Sequence, residues 1–230
     1  MVKLGSIFKW LIKAPLAIIK TIIFHCPGPI GHRLRARYWR QKLQYLGNRV
    51  KIDVGVYFQH PEFISIDDDS WIDRHVIILA GPDQSSRARK YIENPSFRLN
   101  KGSVFIGKRN HIAPFCILSG MAGIQLGDDC TLAAGSKLYS FSHHYRSLEE
   151  PENRNIIFGS RSASTQQYMI EGPIVLGDNV GTGLNTIILP GVSIQKESFV
   201  AINSVVYSSF NENSFLKGDP AKYIKPRFKT

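Results

Sequence analysis

Two adjacent histidines, His143 and His144, are the side chains best suited to chemistry in this 230-residue sequence. They come directly after a regular aliphatic repeat and just before a long polar stretch. A neutral imidazole can remove a proton near neutral pH, so either ring could serve as a general base. An isolated surface histidine more often has no such role, so a catalytic role for either ring depends on the elements that position it.

Metal chemistry has weaker support. The three cysteines form no CxxC pair and show no metal-ligand spacing. A zinc site like that of a carbonic anhydrase would need three converging histidines and an open fourth position. The histidines show no recognised triplet spacing; those considered are His60, His75, His111, His143 and His144. The sequence therefore predicts no metal, and the unpaired cysteines indicate a reducing, cytoplasmic compartment.

A six-residue period begins near Ile66 and sets the fold. Aliphatic residues recur at this interval in the C-terminal half, at positions 176, 188, 194, 200 and 206, with Thr182 in phase. Small or β-branched residues follow four positions later, and three earlier triplets, starting at Ile66, Ile106 and Leu126, keep the same phase. The period fits neither a helix nor simple strand alternation, so each unit is one short strand plus one turn.

Three such units make one triangular coil, and stacked coils bury a continuous core that one coil cannot bury alone. An ordinary antiparallel sandwich is the alternative, but sandwiches do not hold phase over six consecutive units. We therefore predict an all-β solenoid, a parallel β-helix, with two loop insertions at residues 81–100 and 146–172, where the period breaks.

The ends of the chain differ from the repeat. Helical spacing of Leu34, Tyr38 and Leu46 predicts a helix from about Ile30 to Gly47 that caps the first coil. We divide the chain into a basic amphipathic helical segment and cap (1–50), the β-helix catalytic domain (51–216) and a C-terminal tail (217–230). The tail, which contains Pro220 and Pro226, is predicted to leave the solenoid.

Charge is concentrated at the N-terminus. Residues 1–51 hold eleven of the 29 basic residues and no acidic one, so the rest of the chain is neutral. Apolar residues between these charges suit an anionic membrane surface better than nucleic acid, and Lys13, Pro15 and Lys20 leave too short an apolar run to span a bilayer. We predict peripheral membrane contact through residues 1–24 and no nucleic-acid partner; packing on the protein or a neighbouring subunit is nearly as good an interpretation, and a cleaved signal peptide is disfavoured.

The sequence resembles a known family. Residues 177–180, 183–194 and 200–206 are similar to the terminal coils of hexapeptide-repeat acyltransferases, whose solenoid is left-handed. Residues 217–224 resemble the Gly-x-Pro-Ala-Lys tail motif of the maltose and galactoside O-acetyltransferase and polysaccharide O-acetyltransferase branch. The resemblance covers about residues 50–225. Counting from Ile106 through Leu126 places His143 at the family's catalytic histidine, with His144 a candidate for acceptor contact.

The resemblance implies acetyl-CoA as co-substrate, bound between two subunits of a homotrimer. Matched position by position, its binding residues are Gly183, Leu184, Ile202, Lys222 and Lys225. Lysines there would face phosphates, although a solvated lysine is at least as common. The tetrahedral intermediate would be stabilised by backbone N–H groups.

The sequence also departs from the family. Ala113 and Pro114 replace the acceptor-binding asparagine of the sugar acetyltransferases, and Gly181 replaces an aromatic residue. The maltose or galactoside acceptor therefore does not carry over. With the membrane-suited N-terminus, this favours O-acetylation of a bacterial surface glycan, such as capsule, lipopolysaccharide or a lipid-linked precursor, at the inner face of the membrane.

Two other functions stay open. An N-acetyltransferase of a nucleotide-linked amino sugar would use the same fold, base and donor, but no Gly-rich phosphate-binding motif precedes the solenoid. A non-catalytic β-helix scaffold or nucleic-acid binder would use the basic excess, which is confined to an apolar-rich end and forms no groove-lining stripe.

Overall fold

A computed structural model describes residues 4–229, with side chains described from residue 14 onward. Two helices, α1 (Leu4–His25) and α2 (Gly28–Arg40), precede a solenoid whose strands are short and parallel. The strands of the six coils and their insertions, in chain order, are β1 Tyr45–Leu46, β2 Lys51–Ile52, β3 Tyr57–Gln59, β4 Ile64–Ile66, β5 Trp71–Ile72, β6 Ile77–Leu79, β7 Ala88–Tyr91, β8 Val104–Ile106, β9 His111–Ile112, β10 Ile117–Ser119, β11 Ile124–Leu126, β12 Thr131–Leu132, β13 Lys137–Tyr139, β14 Phe141–His144, β15 Tyr168–Glu171, β16 Ile174–Leu176, β17 Gly181–Thr182, β18 Ile187–Ile188, β19 Ser193–Ile194, β20 Phe199–Val200, β21 Val205–Val206, β22 Ser214–Gly218 and β23 Ala221–Pro226.

Each coil contributes one strand to each of three sheets, and the coil strands within a sheet run parallel. The first sheet is β1-β4-β8-β11-β16-β19, the second is β2-β5-β9-β12-β17-β20-β22-β23, and the third is β3-β6-β10-β13-β18-β21. Equivalent residues stack directly: Leu176 pairs with Ile194, eighteen residues later, and Leu126 pairs with Leu176 across an insertion. The predicted left-handed parallel β-helix is confirmed.

The aliphatic positions of the repeat fill the interior. Ile66, Ile106 and Leu126 are fully buried, as are the residues six and twelve positions after each. Thr182, the polar exception, is 2% exposed, and its hydroxyl oxygen lies 2.8 Å from that of Ser136. Six-residue spacing thus places one side chain per sheet inside every coil, which is why the core is continuous.

The two insertions leave the solenoid at the same corner. One lies between β6 and β8 and the other between β13 and β16, so both join the third sheet to the first. β14 and β15 pair antiparallel, and β15 pairs parallel with β7, which gives a small sheet outside the solenoid. The insertions were predicted as loops, and their mutual pairing has no counterpart in the repeat.

The N-terminal end of the core is covered by α2, through buried Gly31, Arg35 and Trp39. The Trp39 ring packs edge-on at 4.8 Å from the Phe58 ring, and Arg35 Nε donates to the Ile52 carbonyl at 2.8 Å. The helix ends at Arg40, earlier than the predicted Gly47, because Leu46 already belongs to the first coil. Among residues 4–229, no helix is both long and apolar enough to cross a membrane.

At the other end, the chain does not leave the solenoid as predicted. β22 pairs parallel with β20, and β23 folds back antiparallel onto β22. Leu216 on β22 is fully buried, and Ala221 at the start of β23 is nearly so. The hairpin therefore extends the second sheet beyond its last regular coil and closes the end of the core.

Candidate active site

His143 lies at the corner from which both insertions leave. It is on β14, directly after the fourth coil, and is paired with Met169 of β15. The side chain is half-buried. A strand position fixes the ring direction better than a free loop would, so the insertion sheet serves as the support for this imidazole.

Gln167 determines which nitrogen of His143 carries a proton. Its side chain is 4% exposed, and its amide nitrogen donates to the Ser162 carbonyl at 2.6 Å. The amide oxygen therefore faces the other way, where it accepts from Arg87 Nη1 at 3.2 Å and lies 3.1 Å from His143 Nε2. Because that oxygen only accepts, Nε2 must donate, and the network assigns the free lone pair of neutral His143 to Nδ1.

Arg87 is itself held by Asp83, at 2.8 Å. Burial acts to raise the pKa of Asp83, but hydrogen bonds from Ser85 and Arg87 outweigh it and lower that pKa. Asp83 also pairs with Arg89 at 3.1 Å. The carboxylate thus stays ionised at neutral pH and keeps Arg87 directed at Gln167.

Charge pairs continue across both insertions. Arg89 contacts Glu171 at 3.3 Å, and Lys101 contacts the same carboxylate at 2.5 Å. Glu171 is 1% exposed, and Arg89 and Lys101 compensate its buried charge. This chain of contacts reaches from Lys101 to His143 and couples the first insertion to the ring carried by the second.

His144 is placed differently. Successive strand residues point to opposite faces, so the His143 and His144 rings do not converge on one point. His144 Nδ1 donates to the Arg146 carbonyl at 2.7 Å, and its ring lies 4.5 Å from the Tyr145 ring. Beside His143 stands Phe158 instead, with its ring edge-on at 6.3 Å and 70% exposed. An exposed aromatic wall therefore borders the candidate base.

The residues predicted to bind the donor lie at another corner, between the second and third sheets. Leu184 and Ile202 occupy equivalent positions in the last two coils and are 52% and 60% exposed. Asn203 N donates to the Leu184 carbonyl at 2.9 Å, which holds the two turns together. A Cβ on Gly183 would lie 2.5 Å from the Ile202 nitrogen, so only glycine allows this approach.

The two predicted lysines lie on β23, next to this corner. Lys222 is opposite Lys217, and both Lys222 and Lys225 are exposed. Gly218 N donates to the Ser204 hydroxyl at 3.0 Å, so the β22–β23 turn stacks on the turn that carries Ile202. The structure thus brings Gly183, Leu184, Ile202 and Lys222 to one surface, with Lys225 further along the same strand, over the Phe215 ring at 5.7 Å.

The candidate base and the residues predicted to bind the donor are separated within one chain. The third sheet lies between their corners, and the six-residue step along the chain from Leu184 to Pro190 spans at most roughly 20 Å. Among residues 4–229, no group of three or more His, Cys, Asp or Glu side chains is placed to hold a metal ion.

A family model described as the hexapeptide repeat of succinyl-transferase matches residues 117–140 and 173–208. A provisionally named acetyltransferase of Dictyostelium discoideum is 31% identical to this chain over 142 residues. The match covers 61% of this chain and 67% of the Dictyostelium protein. This chain belongs to the hexapeptide-repeat acyltransferase family.

Other relatives are matched over a smaller share of their length. A provisionally named macrolide acetyltransferase of Lysinibacillus sphaericus is 33% identical over 45% of this chain and 59% of its own length. A provisionally named lipopolysaccharide biosynthesis O-acetyl transferase of Escherichia coli, WbbJ, is 26% identical over 54% of this chain and 61% of its own length. The chain thus spans about six tenths of the length of these two relatives.

Solved acyltransferase structures share the fold. A variant of the Bacillus cereus N-acyltransferase AntD, with dTDP-4-amino-4,6-dideoxyglucose and coenzyme A bound, gives a TM-score of 0.67 at 21% identity over 85% of this chain and 89% of that one. A maltose O-acetyltransferase of Clostridium difficile gives 0.55 at 17% identity, over 91% and 84%.

Sequence reasoning missed Gln167 and Arg87. Both lie in the insertions, where no period indicates a partner, and they are 80 residues apart. The available signal was topological: two insertions that interrupt the repeat between the same pair of sheets must leave from the same corner.

Proposed function

We propose that this protein transfers an acetyl group from acetyl-CoA to a sugar hydroxyl, with His143 as the general base. The observation that carries the proposal is the hydrogen bond of His143 Nε2 to the buried Gln167 oxygen, because it leaves a basic Nδ1 on a half-buried ring. Membership of the hexapeptide-repeat acyltransferase family supports an acyl-CoA donor.

In the proposed reaction, His143 Nδ1 takes the proton from the acceptor hydroxyl as its oxygen attacks the thioester carbonyl carbon. The tetrahedral intermediate then collapses, the C–S bond breaks, and the imidazolium returns the proton to the departing CoA sulfur. No acyl-enzyme forms. Gln167 keeps the ring in one tautomer through the cycle, because its oxygen accepts from Nε2 in both the neutral and the charged form.

The donor would lie along Leu184 and Ile202, whose exposed aliphatic side chains suit pantetheine, with Lys222 and Lys225 facing phosphates. The third sheet separates this surface from His143 of the same chain. A site shared between two subunits of a homotrimer, donor residues from one and His143 from the next, is therefore our proposal for the assembly.

For the acceptor, we propose a bacterial surface glycan or its lipid-linked precursor, modified at the inner face of the cytoplasmic membrane. The Escherichia coli relative named for lipopolysaccharide O-acetylation supports it, as do four exposed apolar residues on α1: Leu16, Ile18, Ile19 and Ile22. Of the segment 1–24 predicted to contact the membrane, residues 1–3 and the side chains before Ala14 lie outside the described structure. A neighbouring subunit could also cover this helix.

A second candidate is N-acylation of a nucleotide-linked amino sugar, because the AntD complex shares the fold over 85% of this chain. Acceptor chemistry separates the two proposals. If the protein acylates dTDP-linked amino sugars and transfers nothing to glycans that carry only hydroxyl groups, N-acylation is its function and the O-acetylation proposal is refuted.

The first test is calorimetric binding of acetyl-CoA to the full chain. We expect saturable binding that is weakened at least tenfold by Lys222→Ala/Lys225→Ala and unchanged by Lys108→Ala/Lys196→Ala, a control that removes two exposed solenoid lysines. His143→Ala should bind acetyl-CoA normally and transfer no acetyl group in an acceptor screen. A folded protein that does not bind millimolar acetyl-CoA would refute the acyltransferase proposal and leave the non-catalytic scaffold.

A further inference from the structure

A strongly basic groove lies between α2 and the first coil, far along the solenoid from the residues of the proposed active site. Its volume is about 760 Å³. Six of its lining residues can carry positive charge and none is acidic; they are His32, Arg33, Arg37, Arg40, Arg49 and Lys51. Pro29, Ala36 and Val50 form the apolar part of its wall.

Arg33 and Arg37 lie one helical turn apart on the exposed side of α2. Within residues 14–229, neither guanidinium forms a salt bridge, whereas Arg49 pairs with Asp69 at 2.5 Å and Arg40 Nη2 donates to the Gly47 carbonyl at 2.7 Å. Like charges one turn apart repel each other and destabilise the helix. An anionic ligand would reverse this cost, and guanidinium groups match phosphate oxygens in geometry and charge.

The position of α2 is fixed by buried contacts. Arg35, 1% exposed, donates to the Ile52 carbonyl from Nε and to the Cys26 carbonyl from Nη1, at 2.8 and 2.7 Å. Phe24 at the end of α1 packs edge-on against Tyr38, at 5.0 Å between ring centroids. The groove is therefore built on a rigid cap, and it is closely linked to the C-terminal end of α1.

We infer that this groove binds the phosphate headgroups of anionic phospholipids and is a second membrane contact beside α1. The exposed Ile22 of α1 is only seven residues before Pro29, which lines the groove. An exposed apolar helix next to a basic groove, in which Arg33 and Arg37 form no salt bridge with the described residues, matches a surface with acyl chains beneath phosphates, and stable peripheral binding takes two such signals. The inference rests on the proposed membrane location and not on the proposed chemistry.

The test is co-sedimentation of the full chain with vesicles of phosphatidylcholine alone or mixed with phosphatidylglycerol. We expect preference for the anionic vesicles, which Arg33→Glu/Arg37→Glu reduces roughly tenfold or more. Arg154→Glu/Arg161→Glu makes the same change in net charge at two exposed arginines of the second insertion, outside the groove lining, and should keep the preference. Ile18→Ser/Ile22→Ser should weaken binding to both kinds of vesicle.

The outcomes are distinguishable. Equal losses of vesicle binding in the two charge-reversal variants would show that net charge alone causes the preference, and would overturn the inference that the groove binds lipid headgroups. Loss of vesicle binding in the α1 variant alone would support membrane contact through α1 and overturn the inference about the groove. No binding to any vesicle would refute the membrane location itself. If inorganic pyrophosphate reduces vesicle binding more than sodium chloride does at equal ionic strength, the ligand of the groove is a soluble phosphate compound and the lipid-headgroup inference is overturned.

Discussion

Replacing Gln167 tests the assignment of the His143 tautomer most directly. Gln167→Glu keeps an acceptor 3.1 Å from Nε2 but makes it a carboxylate, which favours the imidazolium, and the imidazolium is not a base. A hydrogen bond to a charged group contributes about 1.5–3 kcal/mol, against about 0.5–1.5 kcal/mol for a neutral one. At about 1.4 kcal/mol per pH unit, the acid limb of the kcat/KM profile should move up by about one unit.

Gln167→Leu removes the hydrogen bond without adding charge. We expect kcat to fall roughly three- to tenfold at every pH, in line with the loss of one neutral hydrogen bond, while KM for acetyl-CoA stays unchanged. Gln166→Leu, at the neighbouring half-buried residue, is the matched control and should behave as wild type.

Nitrogen-15 spectra of labelled histidine give a readout that needs no acceptor, with His143→Ala as the assignment standard. The wild-type ring should show a protonated Nε2 and an unprotonated Nδ1, and Gln167→Leu should show a mixture of tautomers. A wild-type ring protonated at Nδ1, or an acid limb that Gln167→Glu does not move, would refute the reasoning.

Two further predictions concern the solenoid. Burial raises the pKa of Cys116 to about 11 and that of Cys130 to about 12, so in the native protein only Cys26 should react rapidly with a thiol reagent at pH 8; three fast thiols by colorimetric titration would contradict this. Leu132→Ala should lower the free energy of unfolding by about 2–5 kcal/mol, because the side chain is fully buried, whereas the exposed neighbour Thr131→Ala should cost little; equal shifts in denaturant midpoint would show that the two faces of β12 are not distinct.

The helical cap and the C-terminal hairpin show where sequence patterns lose resolution. Leu43 and Leu46 lie four and seven residues after Trp39, which is helical spacing, but they are buried by the first coil after α2 has ended at Arg40. Similarly, Pro220 and Pro226 suggested an irregular tail, although Pro220 lies in a turn and Pro226 ends the edge strand β23. In the cap, an apolar residue signals burial without telling which element buries it. In the tail, a proline signals a break in regular structure but is also compatible with a turn or an edge strand.

The repeat by itself determined the solenoid, its core residues and the two interruptions, because a six-residue period leaves one arrangement in which every aliphatic side chain is inside. It also placed His143 at the edge of a coil. Only the tertiary structure decided that both insertions leave one corner, that Arg87 meets Gln167 there, and that their contact fixes the His143 ring. These contacts join residues far apart in an aperiodic sequence, and no local pattern records which partner a polar side chain finds once the coils are stacked.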